Sequence, residues 1–231
     1  MKEFIKVSPL RLLELSASKE LGRGNLGVLM SRAGVGKTAC LIHIAFDKLF
    51  SNRKLVHVSL DDTPDKVTSY YNVIFSELVK ALNIKDEIEK RMLFERNRMI
   101  LAYMHNSFEI SRLKENLRTL VEKLDFTPDC LIVDGLDFEE AESSTFEGFK
   151  TVAKEFDVEI WFSALSHRHI TDKNKKGIPY PCSRVDEMLS MILQLNSTPT
   201  GVFLQLLKDH DNPIKPDAHV RLDPNTFLVT K

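Results

Sequence analysis

The stretch Ser31-Arg32-Ala33-Gly34-Val35-Gly36-Lys37-Thr38 puts two glycines, a lysine and a hydroxyl within eight residues. It meets the spacing G-x4-G-K-[ST] at every position but the first, where Ser31 stands for glycine. Each residue type has a physical task. Gly34 and Gly36 allow backbone turns that aim successive N–H groups at one anion. Lys37 supplies positive charge for phosphate oxygens, and the Thr38 hydroxyl is a ligand for Mg2+. Ala39 belongs to the helix that follows, whose N-terminal dipole also favours an anion. Ser31 is small enough to enter the turn while its φ stays negative. An ordinary glycine turn with a chance Lys-Thr pair is the competing reading. A predicted strand before the loop and a helix after it favour the phosphate site.

A nucleotide site of this kind also needs a carboxylate at the end of a buried strand, to hold the magnesium shell. Leu131-Ile132-Val133-Asp134 supplies one, about a hundred residues downstream. Many buried strands end in aspartate, so the pairing with the loop carries the argument. Thr38 and Asp134 are therefore the metal candidates.

These residues must be positioned by a scaffold, and the chain has the pattern of one. Short apolar runs alternate with longer amphipathic stretches, the signature of an α/β fold. Strands are predicted at Leu26–Met30, Leu55–Leu60, Met99–Met104, Cys130–Asp134 and Val158–Leu165. Helices are predicted at Thr38–Phe50, Val67–Leu82, Asp86–Asn97, Glu109–Leu124 and Ser144–Phe156. The C-terminal part changes to short strands, Met188–Leu195, Gly201–Leu207, Val220–Leu222 and Phe227–Val229, separated by Pro, Asn and Asp turns. The expected architecture is a mostly parallel central sheet flanked by helices, with an antiparallel C-terminal β extension. It forms a single domain over 1–231 with a helical elaboration around 65–98.

The order of these parts resembles the RecA-like P-loop ATPases, and within them the KaiC-like and DnaB-like branches. Gly22-Arg23-Gly24-Asn25-Leu26-Gly27 looks like their entry to the first strand. After the second strand comes Asp61-Asp62-Thr63-Pro64, where KaiC-like proteins carry Glu-Glu-Thr-Pro. The resemblance implies that Asp62, or Asp61, orients the attacking water. Each is one methylene shorter than glutamate, which weakens its reach. The same residues also read as a helix start with aspartate as cap. Phe162-Ser163-Ala164-Leu165-Ser166-His167-Arg168 resembles the helicase-type Ala-Leu-Ser-Gln. It places His167 at the γ-phosphate sensor position, although a histidine in a plain loop fits equally. Lys208 and His210 stand where ring-forming members carry Lys-x-Arg. A histidine in place of that arginine argues against a strongly ATP-coupled ring. The loop also resembles that of MinD/ParA ATPases, but Arg32 stands at their signature lysine.

Composition bounds the alternatives. The 231 residues are 43% hydrophobic and 28% charged, which excludes a wholly disordered chain. Lys+Arg number 32 against 33 Asp+Glu, a net charge of −1, so no basic field covers the whole surface. The balance hides an acidic run, Asp134, Asp137, Glu139, Glu140, Glu142 and Glu147, read mostly as a solvated face. It also hides a basic loop, Arg168–Arg184, with Tyr180 as a base-stacking candidate. That loop reads more readily as a solvated or protein-docking surface than as a nucleic-acid contact. His167, His169 and Cys182 offer no fourth ligand for another metal. Cys40, Cys130 and Cys182 lack disulfide or zinc spacing, so reduced thiols in a cytoplasmic protein are expected. No membrane span or signal peptide is expected.

The reading that best joins these features is a slow Mg-ATPase that binds ATP or ADP. It would act as a nucleotide-dependent regulator or scaffold, with self-association as a dimer or ring and a protein partner. The alternatives are a DNA-binding recombinase- or helicase-like ATPase, a MinD/ParA-like ATPase and a structural pseudo-ATPase.

Overall fold

The computed structural model describes residues 2–103, 107–167, 170, 172–215 and 217–230. The chain runs α1 (Lys2–Ile5), a 3-10 turn (Pro9–Leu15), β1 (Leu26–Arg32), α2 (Lys37–Phe50), β2 (Leu55–Ser59) and α3 (Pro64–Leu82). It continues with α4 (Glu87–Arg96), β3 (Arg98–Ala102), α5 (Ile110–Leu124), β4 (Cys130–Asp134), α6 (Ser143–Glu155) and β5 (Glu159–Ser166). The last elements are β6 (Met191–Thr198), β7 (Gly201–Asp209) and β8 (His219–Leu222).

Among the described residues these strands make one eight-stranded sheet in the order β3-β2-β4-β5-β1-β6-β7-β8. The first six in that order run parallel; β7 and β8 return antiparallel. β1, β2, β4 and β5 are near-continuous apolar runs because helices cover both faces of the sheet. In β7 the buried residues Val202, Leu204 and Leu206 alternate with half-exposed ones, the pattern of a strand covered on one side.

One face carries α2, α3 and α4. There Phe46 meets the rings of Phe50, Tyr71, Phe75 and Phe94 at centroid separations of 5.5–6.3 Å. The other face carries α5 and α6, with Leu113, Leu117, Phe146 and Phe149 fully buried. Each fully buried side chain of this size stabilises the fold by roughly 1.5–3 kcal/mol. The helical elaboration is α3 and α4, and α4 packs Phe94 into the aromatic cluster while leaving Ile88 and Met92 exposed.

Several local expectations need correction. The helix α3 is capped by Thr63, whose hydroxyl accepts from Lys66 N, with Pro64 as first residue; neither aspartate is the cap. The two lead helices were not predicted, because four and seven residues are too few for a periodicity signal. Phe227–Val229 is not a strand. Only Leu222 and Val229 bridge, and the Asp223 carboxylate holds a tight turn that leaves Phe227 at φ 53°. β6 begins at Met191, because Val185–Leu189 closes two turns through Met188 N to Val185 O and Leu189 N to Asp186 O. Strand β3 ends at Ala102; Met104 lies outside the described residues.

Candidate functional site

In a parallel sheet, ligands bind beyond the carboxyl ends of the strands, where the chain order reverses. Here β1 leads through α2 to β2, two strands past its own neighbour β5. The ends of β1, β2, β4 and β5 therefore meet at one edge. In register, Ser31 lies beside Leu165, and Ser59 lies beside Asp134.

The loop from β1 to α2 is built as its glycines require. Ser31 is buried as a full member of β1, paired with Leu165 and Leu195, and is not part of the turn itself. Arg32, Ala33 and Gly34 are exposed; Val35 packs partly against the core. Gly34 has φ 75° and Gly36 φ 99°, in the region where a side chain is strained. At Gly36 a Cβ would also lie 2.1 Å from the Phe227 ring, so glycine is required twice over. Gly36 is the N-cap of α2 and offers no side chain to the first helical N–H groups. Lys37, Thr38 and Ala39 form the half-buried first turn, where those N–H groups await an acceptor.

Lys37 and Asp61 line one cavity of about 390 Å³, together with Gly135–Glu139, Ser163, Leu165 and His167. The geometry separates the two aspartates. Asp61 faces the cavity. Asp62 instead pairs with Lys66 one helical turn away, and its backbone is fixed through the Ser59 hydroxyl. Desolvation raises the pKa of Asp61, and the neighbouring charges of Asp134 and Asp62 raise it further; Lys37 pulls the other way. Asp134 accepts a short hydrogen bond from Ser163 Oγ, which also accepts from Gly135 N at 3.4 Å. Gly135, at φ 89°, is a necessity: a Cβ there would lie 2.6 Å from Asp61 Oδ2.

His167 Nε2 lies 2.9 Å from Glu139 Oε1. His167 also lines a second groove of about 650 Å³, on the far flank of the loop, with Arg32, Ala33, Val35 and Leu195–Thr198. Thus Lys37, Asp61 and His167 come together, Asp134 stands behind them through Ser163, and Asp62 turns away. Ser163, Gly135 and Glu139 were missed by sequence reasoning. Gly135 carried a signal, since a glycine directly after Asp134 leaves room for a neighbour. Glu139 was counted among solvated acids.

The C-terminal candidates are engaged within the chain. Lys208 Nζ donates to the Asp186 carbonyl. His210 sits 3.2 Å from the Asp209 carboxylate and 3.1 Å from Leu21 O, and so ties the lead segment to β7. The basic loop is likewise less open than its composition suggests. Asn174 organises a turn with Gly177 and Ile178, and Ile178 and Cys182 are buried. Lys176 pairs with Asp186, and Arg184 donates to the carbonyls of Phe138 and Glu139. Lys173 and Lys175 remain exposed; Arg168 and His169 lie outside the described residues.

Among the described residues no three His, Cys, Asp or Glu side chains converge as a preformed metal cage. Mg2+ needs none, since it binds through one or two carboxylates, phosphate oxygens and water. The crowding of Asp61 by Asp134 and Asp62 is the electrostatic setting in which a divalent cation fits. No described helix is long and apolar enough to cross a membrane.

No protein-family model matches this chain, and no curated protein matches it in sequence. Solved structures do match. The chain is similar to the solved ATPase domain of a DnaB-like helicase, with a TM-score of 0.68 and 14% identity. The match covers 97% of this chain and 91% of that one. At this identity the likeness concerns architecture, and it agrees with the strand order and site position found here: the chain has a RecA-like α/β fold.

Proposed function

We propose that this single domain binds ATP or ADP with Mg2+ at the β1–α2 loop and hydrolyses ATP slowly, as a nucleotide-dependent regulator. One observation carries the reading. Lys37, Asp61 and His167 line a single cavity beside a loop whose two glycines hold positive φ.

In this reading the backbone of 34–38 and the Lys37 amine hold the phosphates, with Ser31, Arg32 and Ala33 shaping the loop from behind. Thr38 and Asp134 are the residues that would hold Mg2+, which when bound neutralises charge on the phosphate oxygens. Asp61 accepts the proton of the attacking water. His167 donates to the terminal phosphate. Asp62, held by Lys66, orients the start of α3 instead. The short reach of an aspartate base fits slow turnover.

The slow-switch role is favoured over a ring motor because Lys208 and His210 are satisfied inside their own chain. A self-association or partner surface controlled by nucleotide, in the cytoplasm, belongs to the same proposal. The nucleic-acid reading is weakened because Lys176 and Arg184 are committed internally. It predicts stimulation by single-stranded DNA; we expect none.

The test is Mg-ATP turnover of two variants. Asp61→Asn should lose about 100-fold or more, the usual worth of a general base, and Asp62→Asn should stay within about threefold. The reverse ranking would overturn the assignment.

A further inference from the structure

The nucleotide reading leaves one group unexplained. Glu139 directs a carboxylate into the same cavity as Lys37, on the side where phosphate anions would gather. An unrestrained glutamate would be expected to swing into water to avoid that repulsion. Glu139 is instead restrained on several sides. Asp137 Oδ1 accepts the N–H groups of Glu139 at 2.8 Å and Glu140 at 3.2 Å. Phe138 is buried between Phe146 and Phe162, with ring centroids 4.9 and 5.8 Å away. Arg184, from the far end of the segment after β5, donates to the carbonyls of Phe138 and Glu139. The carboxylate at the centre of this arrangement lies 2.9 Å from His167 Nε2.

We propose that Glu139 is a positioning residue for His167, and that Arg184 locks the loop that carries it. The loop at 135–142 and the segment at 172–184 then form one clasp along the cavity wall. A carboxylate that holds an imidazole nitrogen fixes the ring's orientation and tautomer. The arrangement holds the imidazole at the edge of the cavity before any ligand arrives. The role in turnover rests on the nucleotide reading above; the pairing itself does not.

Two measurements test it. The first needs no nucleotide: the imidazole nitrogen resonances of His167 in the ligand-free protein. They should move in Glu139→Ala and, by less, in Arg184→Ala. Unchanged resonances in Glu139→Ala would overturn the pairing. The second is steady-state kinetics with Mg-ATP. Glu139→Ala should lower kcat about tenfold with KM within about twofold, and Glu139→Gln should recover part of the loss. In a His167→Asn background, Glu139→Ala should change kcat by less than about twofold, because both residues act through one contact. Effects that multiply in the double variant would overturn the positioning role. If Mg-ATP neither binds nor turns over while the His167 resonances move, the pairing stands and the nucleotide reading alone has failed.

Discussion

The two edges of the parallel sheet use charge in opposite ways. At the amino edge, every acid described here has a basic or backbone partner. Lys48, at the end of α2, meets Glu159, at the start of β5, at 2.5 Å with side chains only 12% and 4% exposed. Burial works against the Lys48 charge, but Glu159 and Cys130 outweigh it, and its pKa ends up raised. Arg23 bridges Asp129 and Asp157, and Asp129 also accepts from Lys54 N. At the carboxyl edge, Asp61, Asp137 and Glu139 share a cavity with Lys37 and His167. Asp61 there is shifted toward its neutral form. One edge spends its charges on the fold. The other keeps them crowded in a way that only a ligand would relieve, as functional sites commonly do.

The sharpest way to break this contrast is at the amino edge. Glu159→Ala would leave a buried ammonium without its partner and should cost about 3–5 kcal/mol in urea unfolding. Replacing both partners, Lys48→Met with Glu159→Leu, should return most of that loss. A small effect of the single change would mean that the pair is not holding the fold. The next effect is at the carboxyl edge. Asp61→Asn should lose turnover about 100-fold while the protein stays folded.

A pH profile sharpens the same point. The base must be ionised, and Asp61 has a raised pKa, so turnover should fall on acidification while still above the usual aspartate range. An acid limb within the usual range would argue against Asp61. The smallest effect is on stability. A carboxylate whose folded pKa is raised favours folding at low pH and loses that contribution as pH rises through the folded pKa. At neutral pH its charge is a slight burden. Asp61→Asn should therefore raise Tm by roughly 1 °C once solvent screening is allowed for. A fall of several degrees would mean that Asp61 holds structure.

The fold was largely legible because parallel strands buried on both faces leave plain apolar runs, and Cys130–Asp134 was bounded to the residue. The loop glycines and Lys37 were legible because their task is local. The choice between Asp61 and Asp62 was not. It depends on Lys66 drawing one carboxylate away and on Gly135 making room for the other. Glu139 looked like one more surface acid because its restraint comes from Arg184, 45 residues downstream. The basic loop misled for the same reason, since Lys176 finds Asp186 only after folding.

The central claim is that the β1–α2 loop holds a nucleotide through Lys37. It is tested most directly by titrating a fluorescent ATP analogue with Mg2+ into the wild type and Lys37→Ala. Saturable binding by the wild type, weakened at least about 30-fold in the variant, is the predicted result, since truncating one partner of a close charge pair costs about 2 kcal/mol or more. Absence of binding by the wild type, or equal affinity in the two proteins, would contradict it.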